Sequence, residues 1–235
     1  MCVRYTFHEP DRAIAAMAAA LACRLDPQPE ARRPRYNVTL TDVMPVAVAG
    51  TSGPELREMR WGLVSSHERN QPKPRLLPNA RAETASLLPA FKTGVARRRC
   101  LVPANGFYEW QTLARVKVPH LFTLQNGEPF AFAGIWNPPE GESPPTFCIL
   151  TTAPNELVAR IHTRMPVILP LLGNAPQRWL GDQPLAAEEY VALTQPLPSA
   201  GMQERPLSAF VGHSRNEGPE CHAPPAPAEP EFDLG

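Results

Sequence analysis

No Cys-x-x-Cys pair occurs in the chain, and its five cysteines, Cys2, Cys23, Cys100, Cys148 and Cys221, are odd in number and widely spread. This excludes a disulfide framework and a zinc knuckle. Cys221-His222 with nearby His213 is the one Cys/His grouping, and its spacing fits no common metal site, so no metal or cofactor is expected. Long apolar runs are absent as well. Nothing approaches the roughly 18 residues that a membrane span needs, and the N-terminus lacks the basic-then-apolar layout of a signal peptide. A soluble cytoplasmic protein is the expectation. Net charge is missing too, with 23 Lys+Arg against 23 Asp+Glu, but the distribution is uneven. Residues 1–165 hold 20 Lys+Arg against 14 Asp+Glu, and residues 166–235 hold 3 against 9. Arginine dominates the basic part, in clusters such as Arg32, Arg33 and Arg35 or Arg97, Arg98 and Arg99, and its fork suits phosphate. A nucleic-acid partner is thereby permitted, beside the plainer alternative of a solvated face.

Proline is abundant, at 30 of 235 residues, and 43% of the chain is hydrophobic, enough for a sizeable core. So many prolines leave room for few long helices. They point to short strands joined by rigid turns, an α+β fold in which β-structure carries the core. Pro10-Asp11 opens an alanine-rich stretch with Ile14, Met17, Leu21 and Leu25 at helical spacing, which predicts a helix over 12–25. Strands are expected at 43–48, 61–64, 100–103, 106–110, 146–152 and 166–169, and short helices at 155–161, 177–180 and 185–193. Residues 65–78 read as an exposed loop. Pro119–Leu124 and Pro129–Trp136, joined by Gln125-Asn126-Gly127-Glu128, carry the strongest hairpin signal, because Asn-Gly tolerates the positive φ angles of a type I′ turn. Residues 1–222 show no repeat or linker and are expected to form one domain, with 223–235 a disordered acidic, proline-rich tail.

Cys2 offers a chemistry that a cysteine elsewhere cannot. Excision of Met1, permitted by the small second residue, would leave an α-amine and a thiol on adjacent carbons, with reference pKa values of about 7.7–8.0 and about 8.5. Such a pair condenses with an aldehyde to an imine and then a five-membered thiazolidine. Three further groupings stand out. Asn79-Ala80-Arg81-Ala82-Glu83-Thr84 concentrates polar groups after the exposed loop. Phe107-Tyr108-Glu109-Trp110 sets a carboxylate inside an aromatic strand, where desolvation would raise its pKa and fit it for proton transfer. Ile161-His162-Thr163-Arg164-Met165-Pro166 puts an imidazole at a helix end, two residues from an arginine. Each has a bland reading: Cys2 at a frayed terminus, Asn79 as turn former, Glu109 in a surface ion pair, His162 as a helix cap.

Together with Met1-Cys2-Val3-Arg4, Pro34-Arg35-Tyr36-Asn37-Val38, Arg60-Trp61-Gly62-Leu63 and Arg99-Cys100-Leu101-Val102-Pro103-Ala104-Asn105-Gly106, these segments resemble, in order, the motifs of the SOS-response-associated peptidase (SRAP) family. The resemblance runs from residue 1 to about 222. It implies a sensor of abasic sites in single-stranded DNA that crosslinks to them through an N-terminal cysteine after Met1 removal, in the DNA-damage response. The implied fold is an α+β domain around a strongly curved, barrel-like, mainly antiparallel β-sheet with flanking short helices. By position, Cys2 corresponds to the nucleophile and Asn79, Glu109 and His162 to the remaining catalytic residues, while Arg4, Trp61, Arg81 and Arg164 are expected on DNA. A monomer without metal or membrane attachment, cytoplasmic and nucleoid-associated, is the accompanying expectation. The chain departs from the family pattern at Val3, usually glycine, at Thr39-Leu40-Thr41, at Ser65-Ser66-His67 and at Ser214-Arg215-Asn216. A self-processing cysteine peptidase using Cys2, His162 and Glu109, and a noncovalent single-stranded-DNA binder, are the alternatives.

Overall fold

The computed structural model describes residues 3–226 apart from 27, 66, 67, 69, 70, 72, 115, 142 and 182. In chain order the elements are β1 (Arg4–Phe7), α1 (Pro10–Ala20), β2 (Arg35–Thr39), β3 (Val43–Gly50), β4 (Gly53–Trp61), β5 (Leu63–Val64), β6 (Leu76–Leu77) and β7 (Asn79–Arg81). There follow α2 (Ala82–Ala85), α3 (Lys92–Arg97), β8 (Arg99–Ala104), β9 (Gly106–Leu113), β10 (Val116–Leu124), β11 (Phe130–Asn137) and β12 (Thr146–Thr152). The last are α4 (Glu156–Ala159), β13 (Met165–Pro166), β14 (Ile168–Pro170), α5 (Ala175–Leu180), α6 (Ala187–Leu193) and β15 (Met202–Pro206). No helix among the described residues is long and apolar enough to cross a membrane.

The expected α+β class and strong sheet curvature are both present, in two large sheets beside the two-stranded β5-β6 pair. One has the order β15-β10-β9-β1-β2. The other closes a ring, β4-β3-β8-β11-β12, because the start of β12 pairs in parallel with the end of β4 at Thr146↔Arg60 and antiparallel with β11 at Cys148↔Ile135. Tyr5 links the two, its ring edge-on to Trp61 at 5.3 Å and to Phe132 at 5.5 Å between centroids. Gly134 sits in the ring where β11 is flanked by β8 and β12; an added Cβ would lie 2.8 Å from Cys100 Sγ, so only glycine lets the strands close.

Helix α1 begins as expected, with Pro10 in its first turn and Ala13, Ile14, Met17 and Ala20 buried along one face. It stops at Ala20 rather than Leu25, because Ala22 adopts φ +49° and the Cys23 N–H folds back onto the Ala18 carbonyl. The expected hairpin across Asn126-Gly127 does not form. Gly127 alone takes positive φ (+69°) there, its N–H bonds the Leu124 carbonyl, and β10 and β11 depart into different sheets, β10 flanked by β9 and β15. Tight hairpins form instead at β3–β4, which closes at Gly50↔Gly53, and at β9–β10, which closes at Leu113↔Val116. Most of β4 lies outside the strand expected at 61–64, and β6 falls inside the expected loop. The expected tail lies, from residue 227 on, outside the described residues.

Candidate active site

Strand β9 brings the first functional group. Alternation along it turns Phe107 and Glu109 to the face that Phe122 shares, Phe107 stacking on Phe122 at 4.9 Å, and turns Tyr108 to the opposite face against Leu207, Val211 and Cys221. Glu109 is 3% exposed, and its Oε1 has no hydrogen-bond partner among the described residues. Burial pushes its carboxyl up to about 7, into the range where it exchanges protons at neutral pH. The desolvation expected of an acid in an aromatic strand is therefore present.

The neighbouring imidazole is His162, its Nδ1 4.0 Å from Glu109 Oε1. It follows α4, which is capped by Asn155 accepting from the Val158 N–H at 2.9 Å and ended by the His162 N–H on the Val158 carbonyl. Burial lowers the His162 pKa. Its Nδ1 lies 3.1 Å from both the N–H and the carbonyl oxygen of Arg164. A neutral Nδ1 accepts from that N–H and a protonated one donates to that oxygen, so either state has a backbone partner.

Arg164 is held from two sides. Its guanidinium makes a bidentate pair with Glu83 at 2.7 and 2.8 Å and donates to the Thr151 carbonyl of β12 at 2.6 Å. This pairing keeps the Glu83 carboxyl below its usual range. The pattern Asn79–Thr84 contains Glu83, but nothing in the spacing indicated that it reaches across 81 residues to Arg164. Asn79 opens β7 opposite Ile149 on β12, and Arg81 stands opposite Thr151. Both amide atoms of Asn79 are buried without a partner among the described residues, a deficit of about 1–3 kcal/mol each that a bound ligand would relieve. Asn79 is not brought into hydrogen-bond contact with Glu109 or His162 among the described residues; β12 separates its segment from the one carrying Arg164 and Met165. Arg81 is exposed.

One expected DNA contact is corrected, and a second is placed. Trp61 is 0% exposed, its Nε1 donates to the Pro78 carbonyl at 2.9 Å and its ring packs on Tyr5 and Phe147, so it is a core residue with no face for a base. Arg4 donates to Asn37 and to the Val211 and Gly212 carbonyls, on the face of the sheet away from Glu109. The arginine clusters are likewise absorbed internally in part. Arg99 caps the carbonyls of Val95, Ala96, Trp179, Gly181 and Gln183, and Arg98 binds Trp136 and Asn137.

Cys2 lies outside the described residues. Among the described cysteines, Cys100, Cys148 and Cys221 are buried and Cys23 is half-buried, and burial raises all four thiols, Cys221 to about 11. None is an activated nucleophile. No three His, Cys, Asp or Glu among the described residues come together as a metal site. A groove of about 460 Å³, walled by Ala82, Val95, Tyr190 and Val191, adjoins the Glu83 side of the Arg164 pair and includes neither Glu109 nor His162.

The family model described as "SOS response associated peptidase (SRAP)" matches residues 1–214. A Bacillus subtilis protein named "Abasic site processing protein YoqW" is 36% identical over 191 residues, covering 80% of this chain and 84% of its own. The rat protein "Abasic site processing protein HMCES" is 31% identical over 271 residues, covering 95% of this chain and 76% of its own. A crystal structure of a protein from Bacteroides thetaiotaomicron superposes with a TM-score of 0.78 at 24% identity, over 96% of this chain and all of that one, and shows the fold.

Proposed function

The chain belongs to the SOS response associated peptidase (SRAP) family, and from that premise we propose that it processes abasic sites in single-stranded DNA by trapping them on Cys2 after Met1 is removed. The observation that carries this reading is the buried Glu109 carboxyl with the half-buried His162 4.0 Å away, at the end of the sheet where β1 starts. The antiparallel register Tyr5↔Phe107 and Thr6↔Gly106 directs the N-terminal end of β1 along β9 toward Glu109. An acid whose pKa lies near 7 is suited to imine chemistry, which needs a base in one step and an acid in the next.

His162 moves the proton that opens the hemiacetal of the abasic sugar to its aldehyde, its Nδ1 finding a partner at Arg164 in either protonation state. Glu109 takes a proton from the terminal ammonium, and the freed amine adds to the aldehyde carbon. The resulting carbinolamine loses its hydroxyl as water with the proton returned by Glu109 and releases its N–H proton to solvent, leaving an imine. The Cys2 thiol adds to the imine carbon and its proton passes to the nitrogen, closing the thiazolidine. This step removes the imine before it promotes β-elimination and strand scission. Asn79 supplies an amide to orient the amine or sugar, and Arg81 and Arg164 supply phosphate contacts, Arg164 within its Glu83 pair.

Mixing the protein with abasic single-stranded DNA and measuring intact mass tests the reading. The expected product is the des-Met1 chain plus the oligonucleotide less one water. A retained Met1 on protein that still forms the stable adduct would overturn it. A pure peptidase would leave the DNA mass unchanged, and a noncovalent binder would do so while still shifting the DNA in a gel.

A further inference from the structure

The start of β1 is gripped from the face opposite Glu109. Register and alternation put Arg4, Tyr108 and Trp110 on one face of the five-stranded sheet and Tyr5, Phe107 and Glu109 on the other. On its own face Arg4 donates to Asn37 Oδ1 at 2.8 Å, to the Val211 carbonyl at 2.9 Å and to the Gly212 carbonyl at 3.2 Å, with its guanidinium 5.8 Å from the Trp110 ring centroid. Asn37 is 1% exposed and donates to the carbonyls of His213 at 3.0 Å and Asn216 at 2.8 Å. Glu217 pairs with Arg35 at 3.1 Å and accepts the Tyr36 N–H. The Tyr108 hydroxyl donates to the Tyr36 carbonyl and accepts from His222 Nε2 at 2.9 Å. Leu207, Val211 and Cys221 pack with Tyr108 as a small core separate from the main one.

The C-terminal segment 207–222 thus meets β1 at its N-terminal end, some 200 residues away in sequence, and the Arg4 guanidinium donates to that segment and to the Asn37 that supports it. We propose that residues 207–222 are a clasp that fixes the start of β1 and so the reach of the N-terminal cysteine, with Arg4 its positioning residue and not a phosphate contact. The role in reaction rests on the Cys2 chemistry proposed above. A chain start left to itself frays, and a displacement of about 1 Å at a reacting group is enough to cost about a hundredfold in rate.

Arg4→Gln and the exposed clasp variant Glu217→Ala test this in parallel. Both should slow crosslinking at saturating abasic single-stranded DNA by about 10- to 100-fold, with DNA affinity and its salt dependence unchanged. If instead Arg4→Gln weakens DNA binding and lowers the log–log salt slope by about one while the saturated rate holds, Arg4 is a phosphate contact and the clasp proposal falls. Hydrogen exchange of the β1 amides gives a readout that needs no DNA: both variants should exchange faster there than the parent, and unchanged protection would overturn the clasp. A parent protein that forms no adduct sinks the Cys2 chemistry instead, and the exchange experiment still decides the clasp.

Discussion

Burial makes Glu109 a proton carrier at neutral pH and, by the same physics, a weak point in the fold. Between about pH 4.5 and 7 the folded protein holds a proton on Glu109 that the unfolded chain has released, so this group's contribution to stability falls as pH rises through that window. Glu109→Gln, which keeps the shape and removes the charge, should raise stability at pH 8 by up to about 3 kcal/mol, a gain that shrinks to nothing near pH 4.5 in denaturant titrations. The same variant should slow crosslinking by about 10²–10⁴-fold, as should His162→Ala, without loss of DNA binding. Equal stability of parent and Glu109→Gln at every pH would show that the carboxyl is solvated after all. Cys2→Ala keeps the terminal amine, so with abasic DNA it should give a borohydride-trappable imine and strand scission but no stable adduct. At this scale the sequence was informative about residue type: a carboxylate between aromatics on a strand is desolvated, and it is. Trp61 was misread because an indole flanked by arginine and glycine looks the same whether it faces DNA or, as here, closes the core between Tyr5 and Phe147.

Strands show where local pattern stops deciding structure. Thr146–Thr152 was legible residue for residue, since an unbroken β-branched and apolar run is what a strand buried on both sides requires. β4 was not, because Glu55, Arg57, Glu58 and Arg60 keep it polar and only its pairing with β3 makes it a strand. The Asn-Gly turn between β10 and β11 was chemically real and topologically misleading; each strand finds better partners elsewhere. Arg81, at the exposed end of β7, belongs to this scale because its strand fixes where it stands. Arg81→Ala should weaken single-stranded-DNA binding about equally across sequences and reduce the salt slope by about one, measured by fluorescence anisotropy over a salt series; an altered base preference would contradict a phosphate role. Gly134→Ala should cost about 1–3 kcal/mol of stability, because its methyl would meet Cys100 Sγ inside the ring.

Across the whole molecule, neither the closure of the ring through β12 nor the junction of the two chain ends was readable, since both rest on pairings between distant segments that no local signal marks. The clasp also gives the protein an acid-sensitive side. His222, edge-on to His8 at 4.7 Å and beside Tyr36, Tyr108 and Arg205, has its pKa pushed down to about 4 by burial first and by His8 and Arg205 after it. The unfolded chain then binds this proton before the folded one does, so His222 lowers stability as pH drops from about 6.5 toward 4, opposite in sign to Glu109. His222→Gln should flatten the fall in Tm over that range, and an unchanged pH profile would contradict it. The placement of β1 bears, finally, on how the protein is made. Of its two strand partners β2 begins about 30 residues later and β9 about 100, and the clasp about 200 residues later, so at a synthesis rate of about 5–20 residues per second the chain start, even once β2 is made, waits roughly 5–20 s for β9 and 10–40 s for the clasp. During that interval the ribosome-bound N-terminus is open to a methionine aminopeptidase, so the Met1 removal proposed above would come before β9 and the clasp take hold of β1.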